Sequence, residues 1–275
     1  MDILERYVAI DNKCAWPNLT LMPDGSLLAA IFGEPCHLSW EGAAECWCSR
    51  DGGRTWSFAS VPVPNQPRTN RGNLAAGLAH SGAYVVLCGG WSNVCPKGER
   101  PSSPVAPGVR SIMPPIVARS DDGGKSWSHE SLEFDPETSN LFVYGDIVSL
   151  PGNRLAAACY VQGENDCTAW IYFSDDDGRT WGDARLIGER YNETNLLALG
   201  DGKLLAASRT ARTAKTEIFA SSDGGQSWTC RGPVTPDRHM PAHLLQLQDQ
   251  SILLTYGVRL RGMPGVYASI SRDEG

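Results

Sequence analysis

The sequence lacks a long hydrophobic run and lacks a recognisable leader. No stretch of about 18 consecutive apolar residues occurs, so no transmembrane helix is expected. The first residues, MDILERYVAI, have neither a basic end nor a long apolar segment, so they do not resemble a signal peptide. We therefore expect a cytoplasmic protein with no membrane partner.

Positive charge is also in short supply, and the cysteines are not spaced for a metal. The formal net charge of −7 argues against a nucleic-acid partner, since such proteins need basic surface to neutralise phosphates. The nine cysteines are scattered and odd in number, and no two have C-x-x-C spacing. We expect buried free thiols, no metal and no cofactor.

Helical periodicity is nearly absent, and a short repeat stands in its place. SRDGGRTW begins at Ser49, SDDGGKSW at Ser120, SDDDGRTW at Ser174 and SSDGGQSW at Ser221, and a partial copy, SRDEG, begins at Ser271. The steps between copies are 71, 54, 47 and 50 residues. A period near 50 residues is typical of propellers and similar repeat architectures.

Each copy follows three strand-like runs, and a fourth run begins at its tryptophan. Four short strands per repeat predict one propeller blade, with the repeated box on the turn between the third and fourth strands. We expect the box aspartates to be structural, because Asp in such a turn accepts hydrogen bonds from backbone N–H groups. Catalysis is the less favoured role, because a catalyst needs one site and the box recurs in every repeat. These aspartates are Asp51, Asp122, Asp176 and Asp223. The longest step contains Trp91–Ser111, which predicts a long loop between the second and third strands.

With these boxes, of the form S-x-D-x-G-x-T-W, the chain resembles the sialidase superfamily. The resemblance implies an all-β, six-bladed β-propeller, of which this chain carries about five blades as one domain over residues 1–275. It also implies that the chain is incomplete at its C-terminus by about one blade, or ~50 residues by the repeat period. The alternative is a five-bladed ring in which Ile3–Ile10 supplies the strand missing from the last blade.

The resemblance also assigns site residues. NETNLLALGDGKLLAASRT resembles the family stretch that carries a glutamate and the second of three substrate-binding arginines, which gives Glu193 and Arg209. Arg259 or Arg261 matches the third arginine. The family's first arginine is absent, since Trp16 precedes Pro17, and the loop expected to bear the acid/base aspartate offers Glu34, His37 and Glu41 instead. The family's nucleophilic tyrosine would lie in a sixth blade.

The full set of candidates adds residues from the positions where a propeller brings its blades together on the central axis. The catalytic candidates are Glu193, His37, Glu41 and Asp146. The substrate-binding candidates are Arg71, Arg209, Arg259, Trp16, Trp91, Tyr144 and His243. Arginine suits a sugar carboxylate, and paired acid and base groups suit glycosidic cleavage. We expect an exo-acting glycoside hydrolase on an acidic sugar. The alternatives are a non-catalytic propeller that binds glycan or protein, and a polysaccharide lyase.

Overall fold

The fold is all-β in the part of the chain that the computed structural model describes, residues 7–13, 16–36, 41–94, 112–132, 140–164 and 166–273. A short 3-10 helix at Pro151–Asn153 is the one helical element among these residues. The strands are β1 (Asn18–Leu21), β2 (Leu27–Phe32), β3 (Ala44–Ser49), β4 (Ser57–Val63), β5 (Thr69–Leu78), β6 (Tyr84–Ser92), β7 (Ile112–Ser120), β8 (Ser128–Ser131), β9 (Leu141–Leu150), β10 (Arg154–Gln162), β11 (Cys167–Ser174), β12 (Gly182–Glu189), β13 (Tyr191–Gly200), β14 (Lys203–Thr210), β15 (Thr216–Ser221), β16 (Thr229–Pro233), β17 (His239–Gln246), β18 (Ile252–Val258) and β19 (Gly265–Ser271).

These strands form five successive antiparallel meanders, here called units 1 to 5. Unit 1 is β1–β4, unit 2 is β5–β8, unit 3 is β9–β12, unit 4 is β13–β16 and unit 5 is β17–β19. Units 2 and 3 join into one sheet because β5 and β9 pair in parallel over Ala75–Ala76 and Gly145–Asp146. The second strands of units 1, 2 and 4 are largely apolar because both of their faces are covered along most of their length.

The core lies between units rather than within any one of them. One cluster of buried side chains joins units 1 and 2, a second joins units 2 and 3, a third joins units 3 and 4, and a fourth joins units 4 and 5. The first strands of consecutive units therefore lie side by side, as the blades of a propeller do. Among the described residues no strand of unit 5 pairs with unit 1, and no sheet closes on itself.

The repeated boxes occupy the same turn in units 1 to 4, between the third and fourth strands, as the repeat predicted. In the first box, Asp51 accepts hydrogen bonds from the Ser49 hydroxyl at 2.8 Å and from the Thr55 amide at 2.9 Å. The same bonds recur at Asp122, Asp176 and Asp223. Of the four tryptophans, Trp181 is buried and the other three are half-buried. The box is thus a closed local structure that uses its carboxylate internally.

The N-terminal stretch does not add a strand within its described part. Tyr7–Ile10 is irregular, and the Tyr7 hydroxyl donates to the Gly53 carbonyl at 3.0 Å, which ties this stretch to the first box. Residues 3–6 of the predicted strand lie outside the described residues. The described part of the chain contains no helix long and apolar enough to cross a membrane.

Candidate active site

The first strands of units 2, 3, 4 and 5 each carry a β-bulge close to the region where the units meet. Each bulge places two residues of the first strand opposite one residue, or none, of the second strand. The bulge residues are Arg71–Gly72 in β5, Gly145–Asp146 in β9, Asn192–Glu193 in β13 and Met240–Pro241 in β17. Bulges redirect side chains that regular alternation would place elsewhere. Their recurrence gives the molecule one region in which polar side chains from several units can converge.

Two glycines make this bulged geometry possible. Gly145 has φ of 86°, and a Cβ there would lie 3.0 Å from the Thr194 carbonyl oxygen of the neighbouring unit. A Cβ on Gly90, opposite the β5 bulge, would lie 1.9 Å from the Asn70 carbonyl oxygen. Both positions therefore require glycine, one for its backbone angle and one for the close approach of two strands.

The bulges border a cleft of about 490 Å³ between the first strands of units 1, 2, 3, 4 and 5. Its polar and aromatic lining comes from Trp16, Asn73, Tyr144, Glu193, Asn195, His243, Thr255, Tyr256 and Arg259. Its apolar lining includes Leu19, Leu74, Met240 and Val266. A concave site with aromatic walls and a few converging charged groups suits a small polar ligand with an apolar face.

One side of the cleft holds an ion pair. The Arg209 guanidinium donates to the Glu193 carboxylate at 2.7 Å, and both side chains are mostly buried, with 21% and 16% exposed. The pair forms because the bulge at Asn192–Glu193 lies directly opposite Arg209 on β14. Burial raises the pKa of the nearby Tyr144 phenol well above its usual value, and the Glu193 carboxylate raises that pKa further. Tyr144 is therefore a neutral hydroxyl at ordinary pH.

The cleft also borders a hydrogen-bonded network that spans three units. His243 Nε2 lies 2.7 Å from Asp146 Oδ2, and Asn195 Nδ2 donates to the same oxygen at 3.1 Å. Asn195 Oδ1 in turn accepts from the Leu244 amide at 2.8 Å. Burial lowers the pKa of His243 and its bond to Asp146 raises it, and the net shift is upward. The histidine is thus held in place while half of its side chain stays exposed to the cleft.

The structure brings most of the predicted site residues together. Of the candidates, Trp16, Tyr144, Glu193, His243 and Arg259 line the cleft. Asp146 and Arg209 lie directly behind this lining and bind His243 and Glu193. His37 lies outside the described residues.

Three predicted residues are placed elsewhere. Arg71 is buried and donates to the Pro114 carbonyl at 3.5 Å rather than lining the cleft. Trp91 packs on Phe142 with 5.0 Å between ring centroids, so it is part of the core between units 2 and 3. Glu41 accepts a hydrogen bond from the Arg68 amide, so it holds the chain that enters β5.

Sequence reasoning missed Asn195 and Tyr256. Asn195 is two residues after Glu193, and strand alternation places residues i and i+2 on one face, so that spacing was a usable signal. Tyr256 lies on β18 and stacks with Tyr267 at 6.4 Å between centroids, which no motif marks. No cluster of metal-ligating side chains occurs in the part of the chain that the structure describes.

The chain belongs to the BNR repeat-like domain family, whose model matches residues 102–274, more than half of the chain. It is 29% identical over 264 residues to a sialidase of Micromonospora viridifaciens, covering 86% of this chain and 39% of that protein. It is 23% identical over 240 residues to a sialidase of Paraclostridium sordellii, covering 79% of this chain and 57% of that protein. The chain therefore spans less than two thirds of the length of these curated relatives.

Solved structures share the fold at low sequence identity. A protein of unknown function from Dyadobacter fermentans has a TM-score of 0.76 at 21% identity, over 95% of this chain and 80% of that chain. A Hadza microbial sialidase has a TM-score of 0.74 at 20% identity, over 94% of this chain and 56% of that chain. A Trypanosoma rangeli sialidase in complex with the inhibitor DANA has a TM-score of 0.68 at 16% identity, over 93% and 47%. The fold is that of the sialidases, a β-propeller-like arrangement of box-bearing units.

Proposed function

We propose that the protein is an exo-acting glycoside hydrolase of the sialidase type that acts on an acidic sugar. The observation that carries this proposal is the cleft itself, in which Arg259, the Glu193–Arg209 pair and His243 converge between aromatic walls. Glycosidic cleavage needs a proton donor for the leaving oxygen and a basic group on the other side of the bond. Membership in a superfamily that includes sialidases supports the same reaction class.

Arg259 is the group best suited to hold the substrate carboxylate. It is exposed, it lines the cleft, and it has no acidic partner among the described residues. A guanidinium can bind a carboxylate through two parallel hydrogen bonds, which fixes the orientation of the sugar as well as its position. The faces of Trp16 and Tyr256 offer the apolar surface on which a sugar ring packs.

Glu193 is the group best suited to act as a base. Arg209 holds its carboxylate in place at the cleft wall through a contact of 2.7 Å. An ionised carboxylate can take a proton from an attacking water or hydroxyl group. The six-bladed ring implied by the resemblance is part of this same proposal.

A non-catalytic sugar-binding propeller is the second candidate. The observation that favours it concerns the arginines, because Arg259 is the one arginine that lines the cleft within the described part of the chain. Arg71 turns to a backbone carbonyl and Arg209 is engaged by Glu193. A polysaccharide lyase is another candidate enzyme, since arginine, histidine and tyrosine also suit uronic acid substrates.

The test is a screen of fluorogenic glycosides of acidic sugars against the wild type and Glu193→Gln. We expect Glu193→Gln to lower kcat/KM by about a hundredfold or more, the usual contribution of a general base. Gln keeps an oxygen acceptor for Arg209, so we expect a stability loss of only about 1–2 kcal/mol.

Glu189→Gln is the matched control, because Glu189 is exposed at the end of β12 and does not line the cleft. It should keep wild-type activity. Activity of Glu193→Gln equal to that of this control would remove Glu193 from the mechanism. Binding of an acidic sugar with no cleavage of any glycoside would favour the second candidate.

A further inference from the structure

The network of His243, Asp146 and Asn195 has the construction of a positioned proton donor. Its members come from β17, β9 and β13, so three different units fix one imidazole ring. Asp146 receives both the histidine at 2.7 Å and the Asn195 amide at 3.1 Å on the same oxygen. Asn195 also binds the backbone of Leu244, the residue next to His243. A single asparagine thereby sets the position of the carboxylate relative to the strand that bears the histidine.

His243 is more exposed than Asp146, which suits a histidine that contacts a ligand while the carboxylate supports it. The Asp146 side chain is 20% exposed, whereas the His243 side chain is 47% exposed and lines the cleft. Since Nε2 faces Asp146, the nitrogen left for a ligand is Nδ1. No hydrogen bond to Nδ1 is formed by the residues that the structure describes. One ring nitrogen is thus bound to the carboxylate, and the other has no partner among the described residues of a side chain that lines the cleft.

The other titratable groups around the histidine are suited to different tasks. Glu193 is engaged by Arg209, Tyr144 is kept neutral by burial, and Arg259 is the guanidinium assigned to the substrate carboxylate. Tyr256 is the remaining titratable lining group, and it lies on β18 beside β17. The hydrogen bond to Asp146 raises the pKa of His243 and so favours the protonated imidazolium. His243 can therefore offer a proton to a ligand in the cleft.

On the basis of the glycoside hydrolase function proposed above, we propose that His243 is the general acid of the cleft and that Asp146 and Asn195 are its positioning residues. The Nδ1 proton of the imidazolium passes to the glycosidic oxygen while the bond from that oxygen to the anomeric carbon breaks, and the bonding electron pair stays on the oxygen. The leaving group departs as a neutral alcohol. Glu193 takes a proton from the attacking water as the remaining hydroxyl adds to the anomeric carbon, and the neutral imidazole regains its proton from solvent.

This assignment accounts for the absence of the acid/base aspartate that the family resemblance implied. Of the residues in that loop, Glu41 is bound to the Arg68 amide and does not line the cleft. His243 offers a proton from β17, a strand rather than a loop. A donor on a strand that is pinned by two neighbouring units needs no loop closure to reach its position.

The test compares two glycosides of the same acidic sugar, one with an acidic phenol as leaving group and one with an alkyl alcohol. A phenolate leaves without protonation, whereas an alkoxide requires it. We expect His243→Gln to lower kcat/KM for the alkyl glycoside by about a hundredfold or more and to leave the phenyl glycoside nearly unchanged. His80→Gln is the control, since His80 contacts the Arg154 carbonyl far from the cleft.

A second variant, Asp146→Asn, provides a readout that a merely structural role would not move. Without the carboxylate the pKa of His243 falls, so the alkaline limb of the pH–rate profile for the alkyl glycoside should move to lower pH. This variant also carries the test if His243→Gln fails to fold.

The outcomes separate this inference from the function on which it rests. Equal losses on both glycosides, no loss on either, or an unmoved alkaline limb in Asp146→Asn would overturn the role of His243 and leave the hydrolase intact. Failure of the wild type to cleave either glycoside would overturn the hydrolase proposal and this assignment together.

Discussion

Asp177→Ala should destabilise the protein far more than Asp121→Ala, although both aspartates contact the same arginine. Arg119 on β7 is 7% exposed and reaches from unit 2 to the box of unit 3. Its Nη2 lies 2.8 Å from Asp177 Oδ2 and 3.2 Å from Asp121 Oδ1. Asp177 is 23% exposed and Asp121 is 76% exposed.

The expected magnitudes follow from burial. Removing one partner of a buried ion pair costs roughly 3–5 kcal/mol, because a buried charge is left uncompensated. Arg119 would keep hydrogen bonds to the Asp177 carbonyl and the Ser81 hydroxyl, so we expect about 2–3 kcal/mol for Asp177→Ala. Asp121 forms an exposed ion pair, for which less than about 0.5 kcal/mol is typical.

The assay is urea unfolding followed by tryptophan fluorescence, which gives the free energy of unfolding for each variant. A double variant, Arg119→Leu with Asp177→Ala, should lose less than the sum of the two single variants, because it leaves no unpaired charge. Equal losses for Asp177→Ala and Asp121→Ala, or additive losses in the double variant, would refute the reasoning.

The Arg119–Asp177 ion pair also predicts that the free energy of unfolding depends on pH. Burial raises the pKa of Asp177, but hydrogen bonds from Ser81 and Arg119 lower it more, so its folded pKa lies below its unfolded value. The stability from the carboxylate is therefore fully present above the unfolded pKa of about 3.9 and is lost as pH falls through the folded pKa. The difference between the wild type and Asp177→Ala should shrink below about pH 4.

Two further predictions concern the cleft wall and the boxes. Trp16→Ala should weaken binding of the sugar ligand about tenfold in calorimetric titrations, because Trp16 lines the cleft. Trp91→Ala removes a ring packed on Phe142, so it should lower the melting temperature and leave the affinity unchanged. The reverse pattern would exchange the roles of the two tryptophans. Asp223→Ala should lower the melting temperature at pH 6, and the difference should vanish as pH falls through about 2, because hydrogen bonds from Ser227 lower the pKa of Asp223 to about 2; a difference that persists below that pH would contradict the role of the carboxylate.

The box turns could be predicted because each box binds itself. Asp51 finds all its partners between Ser49 and Thr55, so the pattern in the sequence is the pattern of contacts. The strands around each box follow from apolar alternation, which is equally local. These features required no knowledge of how the units pack.

The site was harder to predict because it depends on bulges and on contacts between distant parts of the chain. The β5 bulge sends Arg71 toward Pro114, although its place near the start of a first strand suggested the axis. His243 and Asp146 are 97 residues apart, and no spacing in the sequence announces their bond. Glu193 and Arg209 were marked by a motif as well as by a position, and the structure joins their side chains in an ion pair.

Reaction in isotopically labelled water tests the central claim, glycoside hydrolysis in the cleft, most directly. The wild type would be incubated with oligosaccharides that end in acidic sugars, and the released sugar would be analysed by mass spectrometry. We expect a free sugar that carries one labelled oxygen at its anomeric carbon, at a rate that Glu193→Gln abolishes. An unsaturated product without the label would identify a lyase, and no released sugar despite saturable binding would identify a binding protein; either result would contradict hydrolysis.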